Sequence, residues 1–190
     1  MLVDKIADLL RGFYYILLLR QCKARFNPNS FSIKGHVVLD FSPTAEVAIG
    51  NNFACYGRSI MDEGKCSKIV VQEGAKLKIG ENLSLNNSVI WCSDEIEIGD
   101  NVVISSNCMI MDTDFHSLDW RMRMTKDDCL FRKRKKVHIG TDVLFEENVI
   151  IGKGIEIGDG VIIKSGSVVT RNIPSNEIWG GNPAIFISKC

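Results

Sequence analysis

The sequence predicts an all-β fold, a parallel solenoid of triangular cross-section, on three observations. Apolar side chains recur every six residues at Ile98, Ile104 and Ile110, and again at Ile139, Phe145, Ile151, Ile157, Ile163 and Val169. A second small or apolar position follows four residues behind, at Val102, Cys108, Val143, Val149, Ile155, Val161 and Ser167. Ile-Gly dipeptides at Ile49, Ile79, Ile98, Ile139 and Ile157 mark a recurring corner, and the last two lie 18 residues apart, one turn of three six-residue sides. In such a stack each short strand sends its aliphatic residue inward and Gly, Asn or Asp turns the corner, since these residues tolerate positive φ. Each coil buries the next, so no coil is stable alone.

The spacing also locates the irregularities. The gap from Ile79 to Ile98 is 19 residues, one over a turn, and that from Ile49 to Ile79 is 30, so the early coils are irregular. The gap from Ile98 to Ile139 is 41, and removing residues 116–138 restores 18. The next leading position after Ile110 is His116, where the register breaks and a loop of mixed charge begins. The expected organisation is a helix and linker over 1–28, the solenoid over 29–174 with an excursion at 116–138, and a tail over 175–190. The tail is expected to cross back as a loop and short helix after Pro174.

Residues 2–24 follow another period. Leu2, Ile6, Leu9, Leu10, Phe13, Ile16 and Leu17 recur at helical spacing, which predicts an amphipathic helix. Its apolar side either packs on the solenoid or a neighbouring subunit, or lies on a membrane surface with Lys5, Arg11, Arg20, Lys23 and Arg25 toward anionic lipid. The apolar stretch from Gly12 to Leu19 is far short of a membrane span and lacks a signal-peptide cleavage site. A cytoplasmic protein is expected, peripheral at the inner face of the cell membrane if the helix of residues 1–25 meets lipid.

Composition excludes some classes. Basic and acidic residues balance at 23 each, so no global field points to nucleic acid. The seven cysteines are scattered with no CxxC and no zinc spacing, which reads as reduced packing residues. The three histidines, at 36, 116 and 138, include no closely spaced pair, and no metal site is expected. The run Arg132-Lys133-Arg134-Lys135-Lys136 inside the excursion reads as a solvated loop, a grip on phosphates, or an attraction to an anionic glycan.

The hexads, the segment Asp112-Thr113-Asp114-Phe115-His116-Ser117-Leu118-Asp119 and the closing Gly166-Ser167-Val168-Val169-Thr170…Gly181-Asn182-Pro183-Ala184 resemble the hexapeptide-repeat acetyltransferases. The likeness is to the bacterial sugar and polysaccharide O-acetyltransferases, of the maltose, galactoside and colanic-acid kind, and covers roughly residues 30–188. It implies a left-handed parallel β-helix, a homotrimer, and acetyl-CoA as co-substrate in the groove between subunits. It implies further that His116 is the catalytic base and that Ser165, Thr170 and Arg171 meet the coenzyme. The acceptor-side Asn of the family corresponds to Asn86 or Asn87. Two departures stand out: Leu144-Phe145-Glu146 replaces the family's Trp-Ile-Gly, and Ile185 and Ser188 stand where relatives have basic residues. Lys164, Arg171, Lys189 or the basic loop would then supply the clamp on the coenzyme phosphate.

Acyl transfer to a hydroxyl needs a base, oxyanion donors and a positioned acceptor. An imidazole suits the first role because it titrates near neutrality. Asp114, or failing that Asp119, is expected to fix its tautomer. No Ser or Cys is paired with a base by a recognised motif, so direct transfer is expected rather than an acyl-enzyme. The expected function is sugar O-acetylation in surface-polysaccharide synthesis (capsule, lipopolysaccharide or exopolysaccharide). The alternatives are N-acetylation of an amino sugar and a non-catalytic scaffold.

Overall fold

The computed structural model describes residues 2–57 and 66–190, with no side-chain description for residues 1–9 and 11. The expected contributions of Leu2, Lys5, Ile6 and Leu9 to the helix surface, and that of Arg11, therefore lie outside the described side chains. So does part of the early irregular coils, at 58–65.

The chain winds into a stack of coils with three flat faces, each a parallel sheet. The first face contains Phe31–Lys34, Phe53–Tyr56, Ser84–Asn86, Val103–Ile104, Leu144–Phe145, Ile162–Ile163 and Glu177–Gly180. The second contains Val37–Phe41, Ser67–Val71, Val89–Cys92, Met109–Met111, Ile150–Ile151 and Val168–Val169. The third contains Glu46–Ile49, Lys76–Ile79, Glu95–Ile98, Val137–Ile139 and Glu156–Ile157. The register agrees with the periodicity. Ile98 pairs with Ile139 across the excursion, Ile139 with Ile157, Ile104 with Phe145, and Ile110 with Ile151. Both inward positions of each hexad are buried, Phe145, Ile151, Ile157, Val143, Val149 and Val161 among them. Cys92 and Cys108 are buried as packing residues, and all seven cysteines are free thiols.

The corners divide their labour differently from expectation. The glycines of the Ile-Gly dipeptides do not have positive φ. Positive φ falls two residues later, on Asn52, Asn82, Asn101 and Asp142. The glycines are needed because the coils approach closely there: a Cβ on Gly50 would lie 2.6 Å from the Gly80 backbone, and one on Gly99 2.7 Å from Gly140. The asparagines stack along the same edge, with Asn52 donating to Asn82, Asn82 to Asn101 and Asn101 to Asp142 at 2.7–2.9 Å.

The helix Leu2–Gln21 caps the first coil, with Leu19 fully buried. No helix among the described residues is long and apolar enough to cross a membrane. The opposite end corrects the expectation of a loop and short helix. Glu177–Gly180 continues the first face in parallel, and Ile185–Lys189 folds back on it antiparallel. The tail thus forms strands because Ile178 and Trp179 find register against Ile162 and Ile163.

Candidate functional site

The excursion leaves the second face after Met111 and rejoins the third at Val137. Its neck is zipped: Asp114 N–H donates to Lys133 at 3.0 Å, Lys135 N–H to Asp112 at 2.9 Å, and Thr113 bridges Arg134. Asp112, fully buried at its root, accepts the N–H groups of Ser93 and Asp94, each at 2.7 Å. Burial pushes the Asp112 carboxyl up, and those two donors work against the shift. Most of the basic run serves as anchoring. Arg132 reaches Gln72 at 2.7 Å, Arg134 the Ser93 carbonyl at 3.2 Å, and Lys136 Glu95 at 2.7 Å. This corrects the picture of a simply solvated loop.

His116 stands just beyond the neck, exposed after the positive-φ residue Phe115. Its Nδ1 lies 2.6 Å from Asp128 Oδ2, and the other oxygen of that carboxylate accepts the Ser117 N–H at 2.7 Å. The hydrogen bond from His116, then that from Ser117, hold the Asp128 carboxyl below its usual range. A carboxylate only accepts, so the neutral ring keeps its proton on Nδ1 and leaves Nε2 free. Asp128 thus occupies the place expected of Asp114. Asp114 instead binds Lys153 through Oδ1 at 2.5 Å, and its Oδ2 is buried with no hydrogen-bond partner among the described residues. Asp119 caps the short helix Trp120–Arg123 and pairs with Arg121 at 2.7 Å. The excursion carries several aspartates, and no spacing rule distinguishes Asp128 among them.

Phe115 rests edge-on against Trp91 at 5.1 Å, and the Lys68 ammonium lies over the Trp91 ring at 5.3 Å. Lys68 also lines a cleft of about 310 Å³ with Cys66, Asn87, Val89, Asn107, Cys108 and Met109. Of the two asparagines expected on the acceptor side, Asn87 lines this cleft. Its Oδ1 is buried with no hydrogen-bond partner among the described residues. Asn86 instead donates long bonds to Ser84 and to the Ile104 carbonyl, at 3.4 and 3.3 Å.

The residues expected to meet the coenzyme lie in the last coils. Lys164 and Ser165 sit at the corner between first and second faces, both bound to Glu146. Lys164 neutralises Glu146 and holds its carboxyl below the usual range. Thr170 and Arg171 are exposed at the next corner, the one from which the excursion departs two coils earlier. Lys189 pairs with Glu177 at 2.7 Å. One chain therefore brings together His116, Asp128, Phe115 and Trp91, but leaves Lys164 and Ser165 across the width of the second face. His138 lies on the third face, 3.6 Å from Glu97, apart from the excursion's tip. No group of three or more His, Cys, Asp or Glu among the described residues could hold a metal ion.

Residues 136–171 match the bacterial transferase hexapeptide (six repeats) family. A galactoside O-acetyltransferase of Escherichia coli (strain K12) is 32% identical over 117 residues, which are 61% of this chain and 55% of the relative. The chain spans about half the length of the curated relatives it matches. A maltose O-acetyltransferase structure from Clostridium difficile 630 is similar with a TM-score of 0.50 and 26% identity, over 84% of this chain and 69% of that one. A variant of AntD, an N-acyltransferase from Bacillus cereus solved with dTDP and coenzyme A, is similar in fold, with a TM-score of 0.66 at 19% identity over 84% and 80% of the two chains. The fold is the left-handed parallel β-helix.

Proposed function

We propose that this chain, whose residues 136–171 match the bacterial transferase hexapeptide model, carries out acetyl-CoA-dependent O-acetylation of a sugar hydroxyl in the assembly of a surface polysaccharide. The observation that carries this reading is the His116–Asp128 pair, exposed at the tip of a rigid neck with Nε2 free. In the proposed reaction Nε2 takes the acceptor's hydroxyl proton while its oxygen attacks the thioester carbonyl carbon. The tetrahedral intermediate then collapses, the C–S bond breaks, and the imidazolium returns its proton to the coenzyme thiolate. Asn87, with an unpaired oxygen on the cleft, is the acceptor-side residue in this reading. Thr170, Arg171 and Ser165 are the coenzyme-side residues. Release of Lys164 from Glu146 would add a further cation for the phosphates.

A homotrimer belongs to the same proposal, and the outer surfaces of the three faces support it. Two carry apolar columns in register: Val89, Met109, Ile150 and Val168 on the second face, Val103, Leu144, Ile162 and Ile178 on the first. The third carries charges of alternating sign, Glu46, Lys76 and Glu95 along one column. Two apolar faces at a fixed angle suit a head-to-tail ring, which closes when the rotation matches. A three-membered ring of that kind would carry the last-coil edge of one copy toward the excursion of the next.

The test is calorimetric titration of acetyl-CoA against wild type and His116→Ala, paired with a thioester turnover assay over a panel of sugars and amino sugars. Binding to both proteins is expected, with turnover roughly 10²–10⁴-fold slower in the variant. No binding to either protein rejects the enzyme reading in favour of a scaffold. Turnover confined to amino sugars replaces O- with N-acetylation.

A further inference from the structure

Among its described side chains the N-terminal helix has two apolar sides, one buried by the fold and one exposed. Tyr15 and Leu19 are buried against the first coil, where the Tyr15 hydroxyl donates to the Val37 carbonyl at 2.7 Å. On another side Leu10, Phe13, Tyr14 and Leu17 recur at i, i+3, i+4 and i+7 and are 64, 63, 59 and 48% exposed. A helix on a protein surface normally turns polar residues to solvent, so four large apolar groups in one bare stripe need a covering. Arg20 continues the stripe by one more turn and is exposed, as is Lys23 just past the helix, and the exposed Lys34 lines the same cleft as Leu10 and Phe13.

We infer that this stripe inserts into the interfacial layer of an anionic lipid bilayer and holds the protein on a membrane surface. The stripe from Leu10 to Leu17 is only about 10 Å long, which suits a helix lying in the interface and cannot span a bilayer. The apolar groups enter the acyl boundary while the cations beside them meet acidic headgroups. Parallel stripe-to-stripe pairing with a second copy would instead bring Arg20 and Lys23 of both copies together. The stripe lines a cleft with Phe31–Lys34, the end strand of the first face, three strands from Val103, where that face's apolar column begins. In the proposed trimer, whose axis would run along the stack, all three stripes share one end and engage the bilayer together. The inference thereby deepens the transferase reading by naming where its acceptor is met, on lipid-linked glycan. Bilayer binding is nevertheless measured without coenzyme or acceptor, so the two readings can fail separately.

The experiment is co-sedimentation of the full chain with phosphatidylcholine vesicles, with and without phosphatidylglycerol. Wild type is compared with Phe13→Glu/Leu17→Glu and with Arg20→Glu/Lys23→Glu. Wild type is expected to pellet with the anionic vesicles only, less so as salt is raised. Each double variant is expected to lose roughly tenfold or more in partitioning while keeping its acetyl-CoA affinity and its mass by light scattering. Wild type that stays in solution overturns the inference, as does equal pelleting of all three proteins. A fall in oligomeric mass for Phe13→Glu/Leu17→Glu also overturns it, because the stripe would then be a contact between copies.

Discussion

At Asp128 one carboxylate does two jobs. One oxygen fixes the His116 ring and the other fixes the backbone at Ser117, so ring and main chain are aligned by the same group. Asp128→Asn keeps the shape but offers one acceptor oxygen where two are needed. Turnover is expected to fall about 10–100-fold with little change in KM, by analogy with the outer partners of other functional histidines. Asp128→Glu should restore part of the rate, whereas a merely structural Asp128 would lower thermal stability and kcat together with no such rescue. The residue was not legible in advance. Its partnership depends on how the excursion closes over twelve residues, and Asp114 sits nearer in sequence. Asp114 was the natural expectation, yet Lys153, reaching in from the next coil, captures it.

The coil corner sets the tolerance of the element to change. Gly99 and Gly152 look alike in sequence, each following an isoleucine, but they differ in space. A Cβ on Gly99 meets the Gly140 backbone at 2.7 Å, while one on Gly152 meets nothing within 4 Å. Gly99→Ala is therefore expected to destabilise by about 1–3 kcal/mol. Gly152→Ala should be neutral or stabilise by up to about 1 kcal/mol through the unfolded chain. Denaturant melts of the two variants check this, and equal losses would reject the close-approach account. The excursion is a second element whose rigidity comes from its root. Asp112, buried beneath it, ties two N–H groups of the preceding coil to the neck that presents His116.

Across the whole molecule the three faces differ most in charge. On the third face Glu97 receives Lys78 at 2.7 Å and Lys136 at 3.3 Å, and these cations, Lys78 foremost, hold its carboxyl down at about 2. Its pKa in the unfolded chain is near 4.5, so the unfolded state binds more protons in between. The stability Glu97 contributes is thus complete above that value and is lost as pH falls toward 2. Glu97 is partly exposed and its pairs are screened, so the effect is modest. Thermal melts of Glu97→Gln should show a midpoint below wild type at pH 7 by about 1–3 °C, converging with it near pH 2. A constant offset at every pH would show that the pairs do not titrate with folding.

The hexad period by itself determined the solenoid, its 18-residue turn and the pairing of Ile98 with Ile139 across the excursion. Each coil repeats the same inward environment, so burial is encoded locally and reads out at a fixed spacing. His116 was legible for the same reason, as the residue where the period stops. The period does not encode contacts made once only: Asp128 on His116, Lys153 on Asp114, Glu146 between Lys164 and Ser165, and the strand pairing of the tail. Nor does helical spacing alone tell which side of the N-terminal helix is covered. Tyr15 and Leu19 are buried and Phe13 and Leu17 bare because the first coil offers the helix one surface, and only the tertiary structure decides which side meets it.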